Sequence, residues 1–95
     1  MAVSVVVDIK IKDGQLDEFI EYMGEMIDLT KKEDGCIAYD LYEMADGSEG
    51  IVLVEIWEDQ EKLDRHMEAD HFKKFIPDWE KYHSAPAVVR VLNRL

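Results

Sequence analysis

The run Ile51-Val-Leu-Val-Glu-Ile-Trp57 constrains this chain more than any other stretch. With a period of two, Ile51, Leu53 and Trp57 fall on one side of a strand and Val52, Val54 and Ile56 on the other, with Glu55 the sole exception. A strand that is apolar on both faces must be covered on both faces. A chain of 95 residues has room for one core, and a chain of that size buries only about 60–65% of its unfolded surface. Its own helices can cover one side of the sheet; the other side calls for a second copy. The sequence therefore reads as a single domain over residues 1–95 that forms a homodimer.

The remaining segments supply the rest of such a sheet. Val3, Val5, Val7, Ile9 and Ile11 alternate with Ser4, Val6, Asp8 and Lys10, which predicts a strand ended by Asp13-Gly14. From Gln15 the apolar positions become Leu16, Phe19, Ile20, Met23, Met26, Ile27 and Thr30, the spacing of an amphipathic helix, with Gly35 as its stop. Cys36 to Met44 predicts a second strand, with Ile37, Tyr39 and Leu41 on one side and Ala38 and Tyr42 on the other. Asp46 to Gly50 is a turn that closes a hairpin onto Ile51–Trp57. Asp59 can cap a helix with Leu63 and Met67 pointing inward. A further helical stretch aligns Phe72, Phe75, Ile76, Trp79 and Tyr82, with Pro77 expected to kink or restart it. Ala87 to Leu92 is a final strand. The order β-α-β-β-α-β is the ferredoxin-like α+β arrangement, an antiparallel sheet with helices on one face.

Charge and cysteine usage narrow the function classes. The net charge of −11, with no cluster of cations denser than Lys31-Lys32 or Lys73-Lys74, repels nucleic acid, whose affinity comes mainly from cations on phosphates. Anionic membranes are disfavoured for the same reason. Cys36 is the only cysteine, so neither an internal disulfide nor a thiolate metal cage can form. The N-terminus lacks the basic flank of a secretory signal and reaches Asp8 and Lys10 too soon to span a bilayer, which implies a cytoplasmic protein. No phosphate loop, dinucleotide fingerprint or nucleophile elbow is present, so no cofactor is expected.

Several residues could carry chemistry. Glu55 interrupts an apolar strand: facing inward it must be paired or protonated and becomes a candidate acid or base, whereas at an edge or a dimer interface it would form a salt bridge. Trp57 is either a core anchor or a pocket wall whose indole N–H donates to a substrate oxygen. On one continuous helix His66 and His71 would stand about 140° apart, too far to chelate one metal, so no metal site is expected. His66 and Asp70 form an i,i+4 pair in which the carboxylate could fix the imidazole tautomer. Tyr39 and Tyr42 lie on opposite sides of their strand, so at most one enters a given cavity. His83, near a helix end, reads as a favourable dipole contact.

The stretch from Val54-Glu-Ile-Trp57 through Leu63-x-x-His66 to His71-Phe72, flanked by Gly35-Cys36 and by Pro86-Ala87-Val88, resembles the antibiotic-biosynthesis-monooxygenase family. The resemblance is to the quinol-monooxygenase type, a small dimeric α/β barrel, and it spans nearly the whole chain. Ala69-Asp70 stands where that family often has Ser-Pro or Thr-Pro, so the break between the helices and the aim of His71 stay open. The resemblance implies oxidation of a small aromatic phenol or hydroquinone by molecular oxygen without a bound cofactor. It assigns catalysis to His66 as base, with Trp57 or a tyrosine as donor to the developing oxyanion and His71 nearby. Tyr39, Met67, Phe72 and Phe75 would bind the ring. Related barrels that degrade haem use an Asn, a Trp and a proximal His; this chain places Val7, His66 and Ile76 there and matches none of them. Relatives that isomerise sugar-like metabolites would need a cation near the pocket, for which Arg65, Lys73 and Arg90 are the candidates. A barrel that binds an apolar ligand without turnover is the non-enzymatic alternative.

Overall fold

The computed structural model describes residues 1–95. Its elements are β1 (Val3–Ile9), α1 (Leu16–Lys31), β2 (Cys36–Glu43), β3 (Ile51–Trp57), α2 (Gln60–Glu68), α3 (Asp70–Trp79), a 3-10 turn at Glu80–Tyr82, and β4 (Val88–Asn93). The four strands form one antiparallel sheet in the order β2-β3-β1-β4. This is the expected ferredoxin-like α+β topology. No helix is long and apolar enough to cross a membrane.

Period-two patterning decides which side of the sheet is covered. Val3, Val5, Val7 and Ile9 of β1 and Ile51, Leu53, Glu55 and Trp57 of β3 are buried, while the residues between them are half-exposed. Helix α1 seals that side with Phe19, Met23, Met26 and Thr30, one residue per turn. Its apolar stripe is narrower than the sequence predicts, for Leu16 and Ile20 stand in solvent. Strand β4 is exposed along its whole length: β1 is its one neighbour in the sheet, and the helices cover the other strands.

Three local features depart from the sequence reading. Strand β2 carries a bulge, since Cys36 pairs with Trp57 and Ala38 with Ile56, leaving Ile37 as the extra residue. Ile37 is consequently thrown out to 59% exposure while Tyr39 stays inside, so the two do not share a side. The second helical region breaks at Ala69, whose extended backbone (φ −66°, ψ 144°) ends α2 and begins α3. Pro77 does not restart the helix; it lies within α3. There its ring removes a single donor, the one that would reach the Lys73 carbonyl.

Candidate active site

Beneath the covered side of the sheet, α2 and α3 enclose a cavity of about 250 Å³. The pairing register lays Tyr39, Glu55, Val5 and Val91 side by side across its floor. Leu63 and His66 of α2 and Phe72, Phe75 and Trp79 of α3 form the opposite wall. Of its 16 lining residues 13 are hydrophobic, which suits a flat apolar molecule with few polar handles. Since an apolar void of about 150 Å³ already holds benzene, this one has room for a substituted ring.

Glu55 faces inward and is buried. Its hydrogen-bond partner is the Trp57 indole, whose Nε1–H donates to Oε1 at 3.1 Å. Burial pushes the Glu55 carboxyl up to about 7; the indole bond opposes that rise and the nearby Glu33 charge adds to it. The expectation of an edge or interface salt bridge is therefore overturned: Glu55 points to the core, and its partner is neutral. The same bond decides between the two readings of Trp57 in favour of the core anchor and against a donor to substrate. Its N–H is already engaged, and the ring is wholly buried among core residues rather than lining the cavity.

His66 is 2% exposed and lines the cavity. Its ring packs 4.7 Å from Trp57, 5.0 Å from Phe72 and 5.6 Å from Tyr39, which fixes its plane. The partner expected for it was Asp70; the structure supplies Glu33 instead, whose Oε2 lies 2.6 Å from His66 Nδ1. The break at Ala69 is the reason, because it puts Asp70 at the exposed start of the next helix. Burial holds the His66 imidazole below its ordinary value, against the pull of Glu33. A neutral imidazole facing a carboxylate carries its proton on Nδ1, which leaves Nε2 as a base. Tyr39 is buried beside it, and burial holds its phenol well above the usual range, so it stays a donor.

His71 lies outside the cavity. Its Nε2 reaches the same Glu33 oxygen at 3.0 Å. On one continuous helix two histidines five apart could not converge, but the break at Ala69 turns His66 and His71 toward the same Glu33 oxygen. Met67, expected to point inward, is 42% exposed, yet it still contributes to the cavity lining. Phe72 and Phe75 are half-buried in the wall, and Phe75 stacks on Tyr22 at 4.5 Å. His83 is not a charged dipole partner: burial pushes its imidazole down, and it packs edge-on to Trp79 at 4.6 Å. Burial likewise raises the Cys36 thiol to about 11, far from a reactive thiolate.

Glu33 is the residue the sequence reading missed. It sits in Lys31-Lys32-Glu33-Asp34, a run that reads as solvated surface. The available signal was Gly35, which turns the chain at φ 86° beneath α2. A Cβ there would collide with the Lys62 side chain, so the turn holds Glu33 close against the helix bearing His66.

A family model described as antibiotic biosynthesis monooxygenase matches residues 2–78. The Mycobacterium tuberculosis protein Rv0793, provisionally named a monooxygenase, is 40% identical over 70 residues, which are 74% of this chain and 68% of Rv0793. Its solved structure superposes with a TM-score of 0.90 at 30% identity, covering 100% of this chain and 96% of that one. A conserved protein from Methanosarcina mazei Go1 superposes with a TM-score of 0.94 at 28% identity, covering 100% and 94%. An uncharacterized Synechocystis protein is 27% identical over 84 residues, 88% of this chain, and the match spans 57% of that longer protein.

Proposed function

Because the chain belongs to the antibiotic biosynthesis monooxygenase family, we propose that it is a cofactor-independent monooxygenase that oxidises a small phenol or hydroquinone with molecular oxygen. The observation that carries this reading is a buried, neutral His66 in the wall of an apolar cavity, with its Nδ1 held by Glu33. A phenolic anion can itself pass an electron to oxygen. The protein must then remove a proton, stabilise the anion and exclude water.

For a hydroquinone the overall reaction consumes one dioxygen and yields a hydroxyquinone and water. One oxygen atom enters the ring, the other leaves as water, and all four electrons come from the substrate. His66 Nε2 takes the phenolic proton, and the Tyr39 hydroxyl donates to the resulting anion in place of Trp57. One electron passes to oxygen, and the radical pair joins as a ring peroxide that regains the proton from His66. The O–O bond then breaks as the ring C–H proton departs, and that proton and the released hydroxide form water. Phe72, Phe75 and Met67 hold the ring. His71 acts through Glu33 rather than on the substrate.

The test is oxygen uptake with a reduced naphthoquinone. His66→Ala is expected to lower it about 10²–10⁴-fold, the range for loss of a general base, while fold and assembly persist. Unchanged uptake in that variant removes His66 from the role. Isomerisation of a phosphorylated or oxidised sugar-like molecule has less support: Arg65, Lys73 and Arg90 pair with Glu61, Glu68 and Asp8, and none of the three lines the cavity.

The working unit in this reading is a homodimer. The uncovered side of the sheet presents Val6, Val52, Val54 and Ile56 half-exposed, and β4 lies bare beside them. Burying that apolar strip against a second copy is the simplest way to remove it from water.

A further inference from the structure

Glu33, His66 and His71 come from the α1–β2 turn, α2 and α3, and each places a ligand atom within 4.8 Å of the other two. We infer that this cluster is a binding site for a divalent transition-metal cation of the zinc class, held by the Glu33 carboxylate, His66 Nδ1 and His71 Nε2, with a position open to water. Two imidazoles and one carboxylate suit zinc or ferrous iron and select against calcium and magnesium, which prefer all-oxygen shells. The two histidines meet one carboxylate oxygen at 2.6 and 3.0 Å. Bond lengths of about 2.0–2.1 Å place tetrahedral donors roughly 3.4 Å apart, so the carboxylate must draw back by about half an ångström and the two nitrogens, within 4.8 Å of each other, must close to that spacing; rotation of the partly exposed Glu33 and His71 side chains provides both movements.

The surroundings favour a fixed site over a chance meeting of surface groups. His66 is locked by the rings around it, while the Glu33 and His71 side chains, 17% and 23% exposed, leave a path for an ion to enter. Of the three, His66 alone lines the cavity; Glu33 and His71 lie outside its lining. Coordination through Nδ1 moves the ring proton to Nε2, so an occupied site and a proton-accepting His66 exclude each other. Metal binding itself does not depend on the oxygenase reading.

Metal-free protein, titrated with zinc against a chromophoric zinc chelator at moderate ionic strength, tests the site. One equivalent of zinc per chain is expected, with His71→Ala and Glu33→Gln each weakening binding at least tenfold and His83→Ala leaving it unchanged. Cobalt added to the protein should give visible d–d absorption that His71→Ala abolishes. Circular dichroism on each variant separates lost ligation from lost fold, and His71, being partly exposed, is the substitution the fold tolerates best. No saturable equivalent, or equal binding by the wild type and both variants, overturns the inference; equal binding would mean that zinc merely collects on a surface of net charge −11.

Discussion

A carboxyl on the cavity floor, with only an indole N–H to receive it, is costly to ionise. Glu55 accordingly holds its proton up to about pH 7, against an ordinary value of 4.5. Below about pH 4.5 both folded and unfolded chains carry that proton, and no stability is lost. As pH rises toward and through 7, the unfolded chain releases it more readily, so the folded state loses about 3 kcal/mol. Glu55→Gln keeps an oxygen for the Trp57 N–H and removes the titration. It should flatten this slope and gain about 2–3 kcal/mol at pH 8.5 relative to wild type. Urea unfolding at pH 6 and pH 8.5 measures both, and an unaltered slope would show that Glu55 does not titrate. His66 and His83, held below their ordinary values, act the other way. Their contributions are present above pH 6.5 and lost as pH falls, and both cancel when the variant is compared with wild type.

At the level of elements, the join between α2 and α3 sets the geometry of the site. Ala69 holds it in an extended conformation, yet α3 has no side chain capping its first N–H groups. Ala69→Ser supplies that acceptor at the N-cap and should stabilise the fold by about 1 kcal/mol without moving His71. Thermal unfolding would report the gain, and a fall in melting temperature would show that the methyl group packs better than the hydroxyl bonds. The bulge in β2 works similarly on the other side of the cavity. By absorbing Ile37 it keeps Tyr39 in register with Glu55.

For the whole molecule, the decisive quantity is the apolar surface left uncovered. Val54 lies on the open side of the sheet, opposite Asp40 in β2 and Val6 in β1. If two copies pack there, Val54→Lys buries an unpaired charge and should convert a dimer to a monomer in sedimentation at micromolar concentration. A wild type that sediments as a monomer would refute the homodimer. A Val54→Lys variant that remains a dimer would instead move the interface away from this face of the sheet.

Strand and helix order, the sheet topology and the greasy lining of the cavity are all written in local periodicity. Alternation in Val3–Ile9 and Ile51–Trp57, and the three-four spacing from Phe19 to Thr30, bury the same sides in the structure. His66 was identifiable from its motif, and Glu55 from its intrusion into an apolar strand. Their partners were not. Glu33 meets His66 and His71 across 33 and 38 residues of chain, and the indole that bonds Glu55 could as well have faced a ligand. A side chain's burial follows from its place in a repeat, but its hydrogen-bond partner depends on how separate elements come to rest against each other. Packing around Gly35, Ile37 and Ala69 settled that.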